Sequence, residues 1–149
     1  MKGLDLAERY FEEVGFPMLK QDFGPYVDRL AAGLVGDGSE CYGFDDSISR
    51  DHDWGPGFCI WLSREDYKEV AGSLQEALNR LPRTFEGCGP RRTSEWGDGR
   101  VGVFEVAAFY RRFLGLERLP TDLDTWLFLP ENSLAACTNG KVFRDPLGE

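Results

Sequence analysis

Histidine is almost missing from this chain, with His52 the single one. Zinc sites draw on histidine and on paired cysteines, and Cys41, Cys59, Cys88 and Cys137 show no C-x-x-C spacing, so zinc coordination is not expected. Scattered cysteines in a chain of this size read as reduced thiols, and a cytoplasmic location is the expectation. Lysine is scarce as well: four of the seventeen basic residues, with no basic cluster longer than a pair such as Arg91-Arg92. At a formal net charge of −9, this composition offers no extended surface to a nucleic-acid backbone, whose binding depends on clustered Lys and Arg. Long apolar runs are lacking too. The N-terminal MKGLDLAERYFEEVG is charged and amphipathic, unlike a signal peptide, and no later run approaches membrane-spanning length. The acidity would also repel a naked triphosphate, so a nucleotide here requires a divalent metal or a local Arg.

What is present suits one domain with a real core: 149 residues, 42% apolar and 13% aromatic. Residues 3–14 carry an apolar helical face built on Leu4, Leu6, Tyr10, Phe11 and Val14, with Gly15 as its stop and Pro17 discouraging resumption. A second helix spans about Met18 to Tyr26, interrupted at Gly24-Pro25. Val27–Val35 leads into a buried strand, and Gly36-Asp37-Gly38-Ser39 is too rich in glycine for regular structure. Residues 40–50 leave room for a short helical turn. Asp51–Ser63 reads as a strand with a Gly-Pro-Gly bend or bulge. Arg64–Leu81 is a helix whose face is Tyr67, Val70, Leu74, Leu78 and Leu81, and Pro82 ends it. Residues 83–99 form a loop, Arg100–Val106 a strand, and Phe109–Leu114 a helix ending at Gly115. A last helix covers 131–138, followed by an extended tail from Lys141 to Glu149. Strands alternating with helices give an α/β or α+β domain, a small mixed sheet flanked by helices.

Asp51 and Asp53 carry the chemistry. On a strand, residues i and i+2 project from one face, which sets two carboxylates side by side and points His52 the other way. Such a pair repels itself unless a divalent cation neutralises it, and Mg²⁺ or Mn²⁺ with phosphate oxygens suits the pair. Twelve residues before Asp51, Gly38-Ser39 offers a close backbone approach and a hydroxyl to a phosphate. Neither motif is specific alone. Gly-Ser, Gly43 and a strand-borne D-x-D together are more so.

In this combination the chain resembles the DNA polymerase β-like nucleotidyltransferase superfamily, whose signature is G-S-x-x-x-G followed by D-x-D. GSECYGFDDSISRDHDWGPGF and NGKVFRDPLG look like the bacterial group called domain of unknown function 4037, over roughly residue 20 to the end. The resemblance implies that Gly38 and Ser39 hold nucleotide phosphates, that Asp51 and Asp53 ligate metal, and that a later strand adds a third carboxylate. Glu105, the acid within Arg100–Val106, is the candidate for that third ligand and for the catalytic set. The implied reaction is attack of an acceptor hydroxyl on the α-phosphate of a nucleoside triphosphate, with pyrophosphate released. The chain departs from the pattern at His52, where an apolar residue is usual, at Pro56, and in using Glu105 rather than Asp.

Plainer readings stand beside these. The Asp pair could be a solvated turn, Gly38-Ser39 mere turn chemistry, and Glu105 an ordinary strand acid. His52 is read as structural, Asp45 and Asp46 as loop or capping residues, Arg50 as a salt-bridge partner, and Trp54 and Trp61 as core. The alternative to an active transferase is a nucleotide-binding or regulatory module without turnover. The resembled group continues into a helical acceptor-binding region after VFRDPLG, so the expectation is a separate helical protein partner or a homo-oligomer. A metal-dependent phosphohydrolase ranks last, for want of histidines.

Overall fold

The apolar stripe at the N-terminus forms α1 (Gly3–Tyr10), but Gly15 does not end the helical run. The chain passes through one widened π-type turn, Phe11–Gly15, and continues as α2 (Phe16–Asp22) with Pro17 in its first turn. The wider turn lies where the run accommodates Pro17, which has no N–H to donate to the preceding turn. Gly15 has a packing role instead: a Cβ there would fall 2.5 Å from the Phe58 ring.

In this computed structural model, residues 2–36, 38–44, 54–91, 100–116 and 120–148 are described. Among them the strands are β1 (Ala31–Val35), β2 (Cys59–Leu62), β3 (Gly102–Glu105) and β4 (Gly140–Arg144). They form a mixed sheet in the order β3-β2-β1-β4, with β2 and β3 parallel and the other neighbours antiparallel. Helix α3 (Arg64–Asn79) makes the crossover that a parallel pair requires. Its start is capped by the Ser63 hydroxyl, which accepts from the Asp66 N–H at 3.2 Å, a cap of about 1 kcal/mol. Then follow α4 (Val106–Leu114), α5 (Leu123–Phe128) and α6 (Glu131–Thr138).

Strand β2 is buried along its whole length, so its alternation is between two apolar faces. Ile60 and Leu62 join Tyr10, Phe11, Leu19, Val70 and Leu74 in one core cluster, beneath the N-terminal helices and α3. Cys59 and Trp61 join Leu34, Cys41 and Phe109 in a second, on the α4 side. The expectation of a small mixed sheet flanked by helices holds. The segment expected as a tail is in part the edge strand β4, paired with β1, and among the described residues of the strand expected from Asp51, Cys59–Leu62 is regular.

Candidate functional site

The register decides which residues share an end of the sheet. Gly33 of β1 lies opposite Cys59 of β2, and Cys59 opposite Gly102 of β3. The C-terminal end of β1 therefore emerges beside the N-terminal ends of β2 and β3. From that end leave the Gly38-Ser39 turn after β1, the Trp54–Phe58 segment before β2, and Arg100 before β3.

Gly38 and Ser39 open a short turn in which the Gly38 carbonyl accepts from the Cys41 N–H at 3.0 Å and the Ser39 carbonyl from the Phe44 N–H at 2.9 Å. The start of such a turn leaves amides without local acceptors, the backbone character that attracts anions. Glu40, the next residue, anchors it. Its side chain is 1% exposed, and Oε1 accepts from Arg91 Nη1 and Nη2, both at 3.0 Å, and from Arg100 Nη2 at 3.2 Å. A buried carboxylate demands such partners, because desolvation alone would expel its charge. Burial pulls the Arg91 guanidinium below its ordinary range, while Glu40 opposes that shift. The fit is close. A Cβ on Gly38 would overlap Arg100 Nη2, so only glycine lets the turn lie against that guanidinium.

Arg91 also reaches the segment that follows the Asp pair. Its Nη2 donates to the Gly55 carbonyl at 3.4 Å. Gly55 has φ +143°, and a Cβ there would sit 2.9 Å from the Arg91 backbone nitrogen. One arginine thus ties the residue after Ser39 to the residue two places after Asp53. Asp51, His52 and Asp53 themselves, with Asp45, Asp46 and Arg50, lie outside the described residues.

Glu105 is placed elsewhere. It is the last residue of β3, opposite Leu62, at the end of the sheet away from Gly38. From Gly102 to Glu105 the strand advances about 10 Å, and Gly38 lies beyond the opposite end. The candidate third carboxylate is not brought to the Gly38-Ser39 turn, because the parallel β2–β3 register carries it to the far edge.

The donor chemistry separates two halves of the site. Glu40 is no metal ligand, since the two guanidinium groups that claim its oxygen also repel a cation. Cys41 and Cys59 are buried thiols whose pKa values burial pushes up to about 12, which leaves them protonated and packed. Among the described residues no group of three or more His, Cys, Asp or Glu side chains is placed to hold a metal. The described edge supplies cationic and amide character, the half that suits phosphate. Carboxylates, the ligand type that Mg²⁺ takes, stand in the sequence at Asp51 and Asp53, outside the described residues.

Sequence reasoning missed Glu40, Arg91 and Arg100. Glu40 fell within residues 40–50, read only as room for a short helical turn, and Arg91 counted only as half of a basic pair. The available signal was slight: an acid directly after Gly-Ser, and Arg91 and Arg100 within two residues of Gly89 and Gly99. No helix among the described residues is long and apolar enough to cross a membrane. Comparison with known protein families, with curated proteins and with solved structures gives no match.

Proposed function

We propose that the chain is a metal-dependent nucleotidyltransferase, moving a nucleoside monophosphate from a triphosphate to an acceptor hydroxyl and releasing pyrophosphate. The observation that carries this reading is the Arg91 guanidinium, which joins Glu40 to Gly55. It holds the flanks of the Gly-Ser turn and of the D-x-D pair within the span of one side chain. In this reading Gly38 admits the phosphate chain to the backbone and the Ser39 hydroxyl donates to a phosphate oxygen. Asp51 and Asp53 hold Mg²⁺ or Mn²⁺, which when bound neutralises phosphate charge and favours departure of pyrophosphate. Arg91 and Glu40 are positioning residues that fix the two loops without touching the nucleotide.

The test is calorimetric titration of ATP in the presence of Mg²⁺. Saturable binding that needs Mg²⁺ and is lost in Asp51→Asn/Asp53→Asn is the expected result. Equal binding by that double variant would remove the site assignment.

A second reading, a nucleotide-binding module without turnover, is favoured by one observation: Glu105 lies at the far edge from Gly38. The two readings part on product. A pyrophosphate-coupled assay over candidate acceptors detects the transferase, and intact Mg²⁺–ATP binding with no pyrophosphate identifies the module. A helical partner protein or a second copy of this chain, supplying an acceptor-binding surface, belongs to either reading.

A further inference from the structure

Between the C-terminal half of α3 and the backbone at Gly57 and Gly102 lies a pocket of about 380 Å³, a volume suited to a small molecule. Phe58, Leu78 and Val101 give it an apolar wall, and Arg83 and Arg91 line it with charge. Among the described residues no Asp or Glu lines it, in a chain of net charge −9.

The polar groups at its wall are unevenly committed. The Tyr10 hydroxyl already donates to the Pro82 carbonyl at 2.8 Å. Gln75 accepts from the Val103 N–H and donates to Asn79 Oδ1, both at 3.0 Å. That fixes the Asn79 amide with its two N–H donors unspent. Arg83 takes part in none of the ion pairs found among the described residues. Arg91, whose side chain is 7% exposed, keeps an Nε–H with no acceptor among the described residues, 3.3 Å from the position a Gly57 Cβ would take. The C-terminal carbonyls of α3 oppose an anion in principle. Those of Glu76, Ala77 and Leu78, however, already accept from the Arg80 and Leu81 amides. What remains is an apolar wall beside unspent donors, one of them a full positive charge.

We propose that this pocket binds a small organic acid, its anionic group held by Arg83 and Asn79 and its apolar body against Phe58 and Leu78. A guanidinium paired with an amide matches the fork of acceptor oxygens on a carboxylate or phosphate. The apolar wall requires a hydrocarbon or aromatic body, which excludes inorganic phosphate as a sufficient ligand.

The test is titration of four probes followed by amide shifts of the labelled full chain, without nucleotide or metal, so the outcome is independent of the nucleotide reading. The probes are 3-phenylpropionate, 2-phenylethylphosphonate, 3-phenylpropan-1-ol and 3-phenylpropylamine. Saturable shifts at Gly57 and Gly102 with at least one acid are expected, and which acid binds distinguishes carboxylate from phosphate recognition. The alcohol and the amine should bind at least about ten-fold more weakly, the loss of one charge-assisted contact. Arg83→Gln, at an exposed position that leaves the core intact, should weaken the acid about five-fold or more. Leu78→Trp, which fills the pocket, should abolish the shifts. The proposal is overturned by equal binding of all four probes, by saturable binding of neither acid, or by unchanged affinity in Arg83→Gln.

Discussion

Arg91 presents both of its terminal nitrogens to a single oxygen of Glu40, each at 3.0 Å. The second oxygen, Oε2, takes no hydrogen bond among the described residues and faces Gly38, where a Cβ would lie 2.5 Å from it. This is not the two-oxygen fork that maximises the strength of an Arg–carboxylate pair. A third donor, Arg100 Nη2, shares the same oxygen at 3.2 Å. Convergence on one atom gains less energy than a fork, yet it sets three chain segments at one point. A buried ion pair of this kind contributes more to position than to net stability.

Removing the carboxylate should therefore cost more than the pair itself contributes. Glu40→Ala leaves two buried guanidinium groups facing each other, and a loss of about 3–5 kcal/mol is expected by urea unfolding. Glu40→Gln, which keeps an acceptor oxygen, should lose less. If Glu40→Ala unfolds at the wild-type urea midpoint, the cluster does not anchor the turn.

Gly38 is expected to tolerate no side chain. Gly38→Ala forces a methyl into Arg100 Nη2 and toward Glu40 Oε2, an overpacking cost of about 1–3 kcal/mol. The adjacent Ser39→Ala, which adds no volume, should leave stability within about 0.5 kcal/mol while weakening Mg²⁺–ATP binding. Thermal melts together with Mg²⁺–ATP titrations of the two variants separate the steric role of Gly38 from the phosphate contact proposed for Ser39.

The buried thiols give a pH dependence of defined sign. Cys41 and Cys59 have pKa values pushed up to about 12, from 9.0 for an unburied thiol. A raised folded value means that stability is full below pH 9 and is lost as pH rises from there toward 12. Each thiol should remove about 1.4 kcal/mol per pH unit across that window. Urea unfolding at pH 8 and pH 10 should show this fall, and Cys41→Ala/Cys59→Ala should flatten it.

Glu105 gives a discriminating negative. Because it sits opposite Leu62 at the far edge of the sheet, Glu105→Ala should leave Mg²⁺–ATP affinity within about two-fold, below the effect of losing a contact. A ten-fold loss would restore it to the metal set.

Much of the fold was legible in the residues. The α3 face at Val70 and Leu74 and the final helix at 131–138 follow from apolar spacing, which tertiary packing did not override. The N-terminal helix ran past Gly15 because packing on Phe58, a contact distant in sequence, outweighed local stop chemistry. Helix α5 was missed for a different reason. It is six residues long with Leu123, Leu127 and Phe128 exposed, so no buried face wrote a period into the sequence. In the site, Gly38-Ser39 stood out by residue type, whereas Glu40, Arg91 and Arg100 did not. Their meeting joins positions 51 and 60 residues apart, and pairing at that separation leaves no local pattern.

The central claim is that the end of the sheet bearing Gly38, Ser39 and Gly55 receives the metal–nucleotide. Paramagnetic broadening of amide resonances by Mn²⁺–ATP tests it most directly, because broadening falls steeply with distance from the ion. Selective loss of the Ser39, Glu40 and Gly55 signals is expected, with sparing of Glu105 and Val106 and full recovery in Asp51→Asn/Asp53→Asn. Broadening centred on Glu105 and Val106, or the same pattern persisting in the double variant, would contradict it.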